Sequence, residues 1–308
     1  MKISINLLLF LMHLKLSHRK LLGDLKRCGA DGVEVPIFEG TPDHYERVGA
    51  MIREIWPDGP ITAVSMVAPD ADPSSPNAQV RKRGVALLKS RIDCASALGA
   101  EALVGPFTSP WALWPKRRGK TLSGDALIDE MQRRIALAVP CLREVATYGR
   151  EKRGIVEVAT EYLNPWELPF VNTFPQAAAF VDAVSHPNLG ILFDTAHEAA
   201  GAGTKAFYHA VKRYLESKGY LRAHISSPYT RGDIVDSAIN WELIAVLKSL
   251  GWKGNLVVEM FNAKPPFAEG ARLNRRPWSM GQCLDRVRAG ISFTREQWER
   301  ASGSLWYK

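Results

Sequence analysis

Four polar residues stand at the C-terminal ends of four successive apolar runs. Glu161 closes GIVEVATE, Asp194 closes LGILFD, His224 lies in RAHISS and Glu259 closes NLVVE. Short apolar runs bounded by turn residues read as buried strands. An uncompensated carboxylate there costs several kcal/mol, on the order of a lost buried ion pair. A shared divalent cation would neutralise three carboxylates and orient one imidazole. Three oxygens and one nitrogen favour a fairly hard ion, Mn²⁺ first with Co²⁺ or Mg²⁺ as alternatives, over thiolate-held zinc. Taken singly, an acid at a strand end is commonly a helix cap or an ion-pair partner, and a strand histidine is commonly satisfied by its neighbours. Recurrence on consecutive strands is what makes Glu161, Asp194, His224 and Glu259 a metal-site expectation. Side chains alternate along a strand, so Glu157, Ala159 and Glu161 share one face, and Val156 and Val158 the other. Glu157 is expected to be a buried structural partner of an Arg or Lys.

The elements that must position these residues follow a regular alternation. Strands are expected at Lys2–Leu9, Asp31–Pro36, Ile61–Val67, Ala102–Pro106, Gly154–Glu161, Leu189–Asp194, Ala223–Ser226 and Leu256–Met260. Amphipathic helices fall between them, near Ser17–Cys28, Asp43–Ile55, Asn77–Leu98, Gly124–Tyr148, Phe174–Val184, Lys205–Ser217 and Trp241–Leu250, with a terminal helical region from Met280. Eight strand–helix units in 308 residues predict an α/β fold, a (β/α)8 barrel filling the chain as one domain. A doubly wound sheet would carry a glycine fingerprint after its first strand, and NLLLFLMH has no glycine. Gly201 to Gly203 lack the third glycine and read as loop.

Composition excludes several other classes. At 46% apolar and 23% charged, disorder is not expected. The net charge of +8 is spread among acids rather than gathered in a basic, aromatic-studded segment, so no nucleic-acid role is expected. Cys28, Cys94, Cys141 and Cys283 form no CxxC pair, which fits a reducing cytoplasm. The apolar N-terminal run is far short of the ~20 residues of a membrane span and has no small-residue cleavage site, so it reads as a buried strand. No G-x-S-x-G elbow appears. Two long loops, Phe107–Gly124 with its KRRGK run and Phe261–Trp278, would lie on the face where such barrels keep their active sites. Each reads as a lid or a subunit contact, and KRRGK as a solvated run.

Several segments resemble one family in order along nearly the whole chain. EYLNPWE resembles the E-x-x-N-R-x-E segment of the xylose-isomerase-like barrels, in particular the ketose 3-epimerases of tagatose, psicose (allulose) and ribulose type. FDTAHE resembles their D-T-x-H, HISSPYTRG their strand-seven histidine and R-G, and VVEMF their last strand. GADGVEVP and ALGAEALVGP resemble the second- and fourth-strand signatures. The resemblance implies a metal-dependent sugar epimerase or isomerase, with Glu161, Asp194, His224 and Glu259 as metal ligands. It makes Glu161 and Glu259 the acid/base pair on opposite faces of the substrate. His197 and Arg231 would hold substrate oxygens, Glu167 would orient that network, and Glu34 would support it. It also implies a small sugar as partner and a homodimer or homotetramer, without membrane or nucleic acid.

The alternatives are the same site acting on a 3-keto-glycoside by elimination or hydrolysis, or on another hydroxy-ketone. A remoter one is the DNA-cutting branch of the superfamily, which needs many more histidines than the seven here. Pro165 replaces a usual arginine, Ala196 a frequent aromatic, and Asp236 stands near an expected glycine. These departures are expected to reshape the distal end of the pocket rather than the metal site.

Overall fold

Alternation along eight short strands decides the architecture of the protein, seen here in a computed structural model. Described are residues 1–308 except 153, 155, 199–202, 219, 236–237, 266, 272–275 and 302–308. The strands are β1 (Ile3–Asn6), β2 (Gly32–Pro36), β3 (Ile61–Val64), β4 (Ala102–Gly105), β5 (Glu157–Glu161), β6 (Leu189–Asp194), β7 (Leu221–Ile225) and β8 (Leu256–Val258). Each pairs in parallel with its sequence neighbours, and β8 pairs with β1 to close the barrel. The helices are α1 (Arg19–Arg27), α2 (Pro42–Ile55), α3 (Ala78–Leu98), α4 (Gly124–Arg150), α5 (Phe174–Val184), α6 (Thr204–Lys218), α7 (Glu242–Ser249) and α8 (Met280–Arg300). The expected (β/α)8 barrel is therefore the observed fold.

One parity of strand positions, including Ile5, Val35, Leu103, Val158, Phe193 and Val258, packs in the large core beneath the helices. The other parity, Val64, Ala102, Val104, Ala159 and Leu192, joins Leu8 and Phe261 in a smaller cluster enclosed by the strands. Further positions of this inner parity are polar and buried: Ser4, Asn6, Glu34, Thr62, Glu161, Asp194 and His224. Among these inner positions β4 offers only apolar side chains, β1, β2 and β7 offer polar ones, and β3, β5 and β6 offer both.

Local sequence sets the boundaries. Asn77, Thr173 and Ser279 cap α3, α5 and α8 by accepting backbone N–H groups of the first turn. The first strand is shorter than the expected Lys2–Leu9. The Asn6 side chain accepts from Leu8 N–H, so Leu7–Leu9 turn into a 3₁₀ helix. Similarly β3 stops at Val64 and β8 at Val258, which leaves Glu259 one residue beyond its strand. Glu157 does meet an arginine, with Arg222 Nε 3.1 Å from its Oε2. That pair lies at the opening end of β5 and Glu157 is half-buried rather than buried, because the barrel end admits solvent there. Asp236, Arg272 and Arg275 lie outside the described residues. Among the described residues, no helix is long and apolar enough to cross a membrane.

Gly105 ends β4 at φ 140°, and a Cβ there would sit 2.0 Å from Ser65 O. Gly105→Ala is expected to destabilise the fold by roughly 3 kcal/mol or more, combining strain and overpacking. Urea unfolding should show a lower midpoint at unchanged slope; an unchanged midpoint would refute the close approach.

Candidate metal centre and active site

The strand register delivers the acidic residues to one place. Asp194 is in register with His224 across β6 and β7, and Glu161 with Leu192 across β5 and β6. Glu161, Asp194 and His224 each offer a ligand atom, and these atoms lie within 4.8 Å of one another. Glu259 is held beside that trio rather than within it. Its Oε1 accepts from Asn6 Nδ2 at 2.9 Å, its Oε2 pairs with the Arg231 guanidinium, and His224 Nδ1 is 3.5 Å from Oε1. Glu34 lies on the other side of the same imidazole, with Oε1 2.8 Å from His224 Nε2, and Thr62 Oγ1 donates to its Oε2.

His197 occupies the turn after β6, between two glutamates. Its Nε2 is 3.2 Å from Glu161 Oε1, and its Nδ1 is 3.3 Å from Glu167 Oε2. Asn164 Nδ2 lies 3.0 Å from that same Glu167 oxygen and 2.9 Å from His197 Nδ1. Arg231 ties the halves together: Nη1 donates to Asp194 Oδ2 at 2.9 Å and to Ser226 Oγ at 2.6 Å, and Nη2 reaches Glu259. Its backbone sits at φ 53°, rare for a residue with a Cβ, and Phe261 lies under the guanidinium 5.2 Å from its carbon. The sequence-derived site residues thus converge. Asn6, Thr62, Asn164 and Ser226 join them without having been singled out by their sequence contexts; Asn164 lies inside EYLNPWE.

Burial and charge pull the ionisations in opposite directions here. Burial raises the Glu161 carboxyl, and Glu259 adds to this against the pull of His197 and His224. Burial alone would raise Asp194 too, but Arg231 and both imidazoles hold it well below the ordinary carboxylate range. Burial lowers both imidazoles, yet the carboxylates prevail. His197 is raised to about 10, with Asp194 the largest raising influence, and Glu34 and Glu259 hold His224 far up as well.

Glu161 Oε1 and both ring nitrogens of His224 are buried without a hydrogen bond of good geometry. Such atoms, converging from two strands with Asp194 of a third within 4.8 Å, offer carboxylate and imidazole chemistry that fits a divalent cation. A cavity opens beside them. Glu161, Glu167, His197, Arg231 and Glu259 line its polar side, and Leu8, Val64, Met66, Trp111, Leu163 and Phe267 its apolar side. Both long loops reach it, through Trp111 and Phe267. Lys116–Arg117 and Lys120–Thr121 form an exposed two-stranded ribbon. Pro165 is exposed, and Ala196 is buried with its N–H donated to Asp194 Oδ1.

Acids and imidazoles gather at the C-terminal strand ends of a closed parallel barrel, the face where such barrels carry their active sites, and the family comparison agrees with that fold. The Xylose isomerase-like TIM barrel family model matches residues 22–277, and the chain belongs to that family. The ketose 3-epimerase of Arthrobacter globiformis is 25% identical over 240 residues, covering 77% of this chain and 75% of that protein. A crystal structure from Anabaena variabilis ATCC 29413, of a protein described as a sugar phosphate isomerase/epimerase, superposes with a TM-score of 0.87. It is 28% identical, covering 98% of this chain and 99% of its own. D-psicose 3-epimerase of Clostridium cellulolyticum H10, solved with D-tagatose, has a TM-score of 0.80 at 20% identity, covering 97% and 99%.

Glu198, next to His197, has a different environment. It is buried, accepts from Tyr162 Oη at 2.8 Å and from the Phe174 N–H that opens α5, and burial raises it to about 7. Its ordinary value is 4.5, so the fold favours the neutral carboxyl. Stability from this group is full below the ordinary value and is lost as pH rises through the folded one, amounting to on the order of 3 kcal/mol. Glu198→Gln should remove that loss. Denaturation at about pH 5 and about pH 8 should show the wild type weakening relative to the variant as pH rises; parallel behaviour would mean Glu198 ionises normally.

Proposed function

We propose that the protein is a divalent-metal-dependent epimerase of free ketoses that inverts C3 through an enediolate. The observation that carries this is the meeting of Glu161, Asp194 and His224, with Glu259 alongside, at the wall of one cavity. The names of the Arthrobacter globiformis and Clostridium cellulolyticum H10 relatives support inversion at C3. Glu161, Asp194, His224 and Glu259 would hold the cation, which when bound supplies positive charge that stabilises negative charge developing on a carbonyl oxygen.

Glu161 ends β5 and Glu259 follows β8, with β6 and β7 between them, so the two carboxylates reach the cavity from different sides. One takes the C3 proton as the C–H electron pair moves into the C2–C3 bond and the carbonyl pair moves onto O2. The other returns a proton to the opposite face, the carbonyl re-forms, and the centre is inverted. The His197 imidazolium and the Arg231 guanidinium supply N–H donors for the sugar's oxygens.

The cavity's charge argues for an unphosphorylated substrate. Among the described lining residues Arg231 is the one Lys or Arg, and it is engaged by Asp194 and Glu259; Glu161, Glu167 and Glu259 face the same space. A phosphate would meet three carboxylates, whereas the carbons of a neutral sugar's distal end can lie against Met66, Trp111 and Phe267.

Proton NMR in D2O, on Mn²⁺-loaded protein later freed of the ion, should show deuterium entering C3 of a free ketose. Exchange should disappear on chelation. Glu161→Gln and Glu259→Gln should each slow it by about 10²-fold or more with the fold intact. Exchange confined to ketose phosphates would overturn the free-sugar reading, and full activity in either variant would overturn the acid/base assignment.

A further inference from the structure

Asn6 is fully buried at the C-terminal end of β1, and every polar atom of its side chain is committed. Oδ1 accepts from Leu8 N–H at 2.8 Å, which fixes which end of the amide is nitrogen. Nδ2 must then point away, and its two hydrogens go to two different carboxylates, Glu34 Oε1 and Glu259 Oε1, each at 2.9 Å. One neutral amide therefore sits between two buried acids.

Glu259 is gripped at both oxygens, Oε1 by Asn6 and Oε2 by Arg231. A carboxylate held at one oxygen can swing about its last torsion; held at both, its plane is fixed. Glu161 has no equivalent: its Oε1 lacks a hydrogen bond of good geometry. The two proposed proton carriers are therefore held to different degrees. The Asn6 amide is the neutral part of the grip on Glu259.

We propose that Asn6 is a positioning residue for Glu259, holding that carboxylate in the plane from which it exchanges a proton with the substrate. This rests on the ketose-epimerase reading for the role of Glu259. The plain alternative is that Asn6 only caps the Leu7–Leu9 turn.

Asn6→Ser separates the two, because serine can cap Leu8 N–H but is too short to donate to both acids. Inversion of C3 should fall about tenfold in both directions, since the equilibrium constant is fixed and a carboxylate misplaced by a fraction of an ångström transfers protons more slowly. In D2O the two epimers should then diverge. For the epimer deprotonated by Glu161, the proton return at Glu259 is slowed, so the ratio of C3 exchange to inversion rises. For the epimer deprotonated by Glu259, that ratio falls and the isotope effect of C3 deuteration grows. A capping role would leave both ratios at their wild-type values, and that result overturns the proposal.

Asn6→Asp is the second variant. It keeps the volume and the Leu8 cap but sets a carboxylate against Glu34 and Glu259, so inversion should fall further than in Asn6→Ser. Wild-type inversion in Asn6→Asp would also overturn the proposal. A wild-type protein that neither exchanges nor inverts any ketose would overturn the epimerase reading itself, and this proposal with it.

Discussion

Five carboxylates, those of Glu34, Glu161, Glu167, Asp194 and Glu259, are buried around one end of the barrel, and the rest of the site answers their charge. Burial of anions is tolerated only where donors and opposite charges meet them. Arg231 takes Asp194 and Glu259 together, His224 stands between Glu34 and Glu259, and His197 between Glu161 and Glu167. Neutral donors complete the set: Asn6, Thr62, Asn164 and Ser226 each donate to at least one of these acids. The pattern is a closed circuit in which each imidazole is held between carboxylates, an arrangement that fixes ring orientation.

The barrel makes this concentration of charge affordable by geometry. Inner positions of β3 to β5 carry Val64, Ala102, Val104 and Ala159, which pack into an apolar floor with Leu192. Electrostatic interactions above such a floor are less screened than in water, so an imidazole near carboxylates responds strongly. This is why both site histidines rise although burial pulls them down. At the other end of β5, Glu157 pairs with Arg222 where solvent reaches it, and the same two residue types form an ordinary half-buried ion pair. One strand thus carries two glutamates of equal parity whose surroundings give them different tasks.

Much of this was legible because it obeys two short rules. Strand periodicity fixed the parity of Glu157 against Glu161, and parallel alternation fixed the end of the barrel where Glu161, Asp194, His224 and Glu259 must meet. Less legible were residues whose role depends on what lies across the barrel. Asn6 sits in SINLLLF, where an apolar run suggested that the strand continued. Its amide instead breaks the run at Leu7 and reaches Glu34 on β2 and Glu259 beyond β8, a residue 253 positions away. No local pattern encodes a hydrogen bond of that span. Ser226 and Thr62 are likewise small polar residues in apolar surroundings, where a sequence gives no sign of which carboxylate they face.

Arg231 shows how charge balance and specificity become one constraint. Its guanidinium offsets Asp194 and Glu259, so it lines the cavity without a free charge to offer an anionic ligand. The left-handed backbone at Arg231 costs on the order of 1 kcal/mol, and the Phe261 ring beneath the guanidinium and the Phe261 N–H donated to Arg231 O hold the loop in that shape. Phe261 in turn packs with Phe267, which forms part of the apolar wall. The same contacts that stabilise the acidic centre therefore set the cavity's opposite face, so any bulky group entering against Phe267 would have to displace the aromatic support of Arg231.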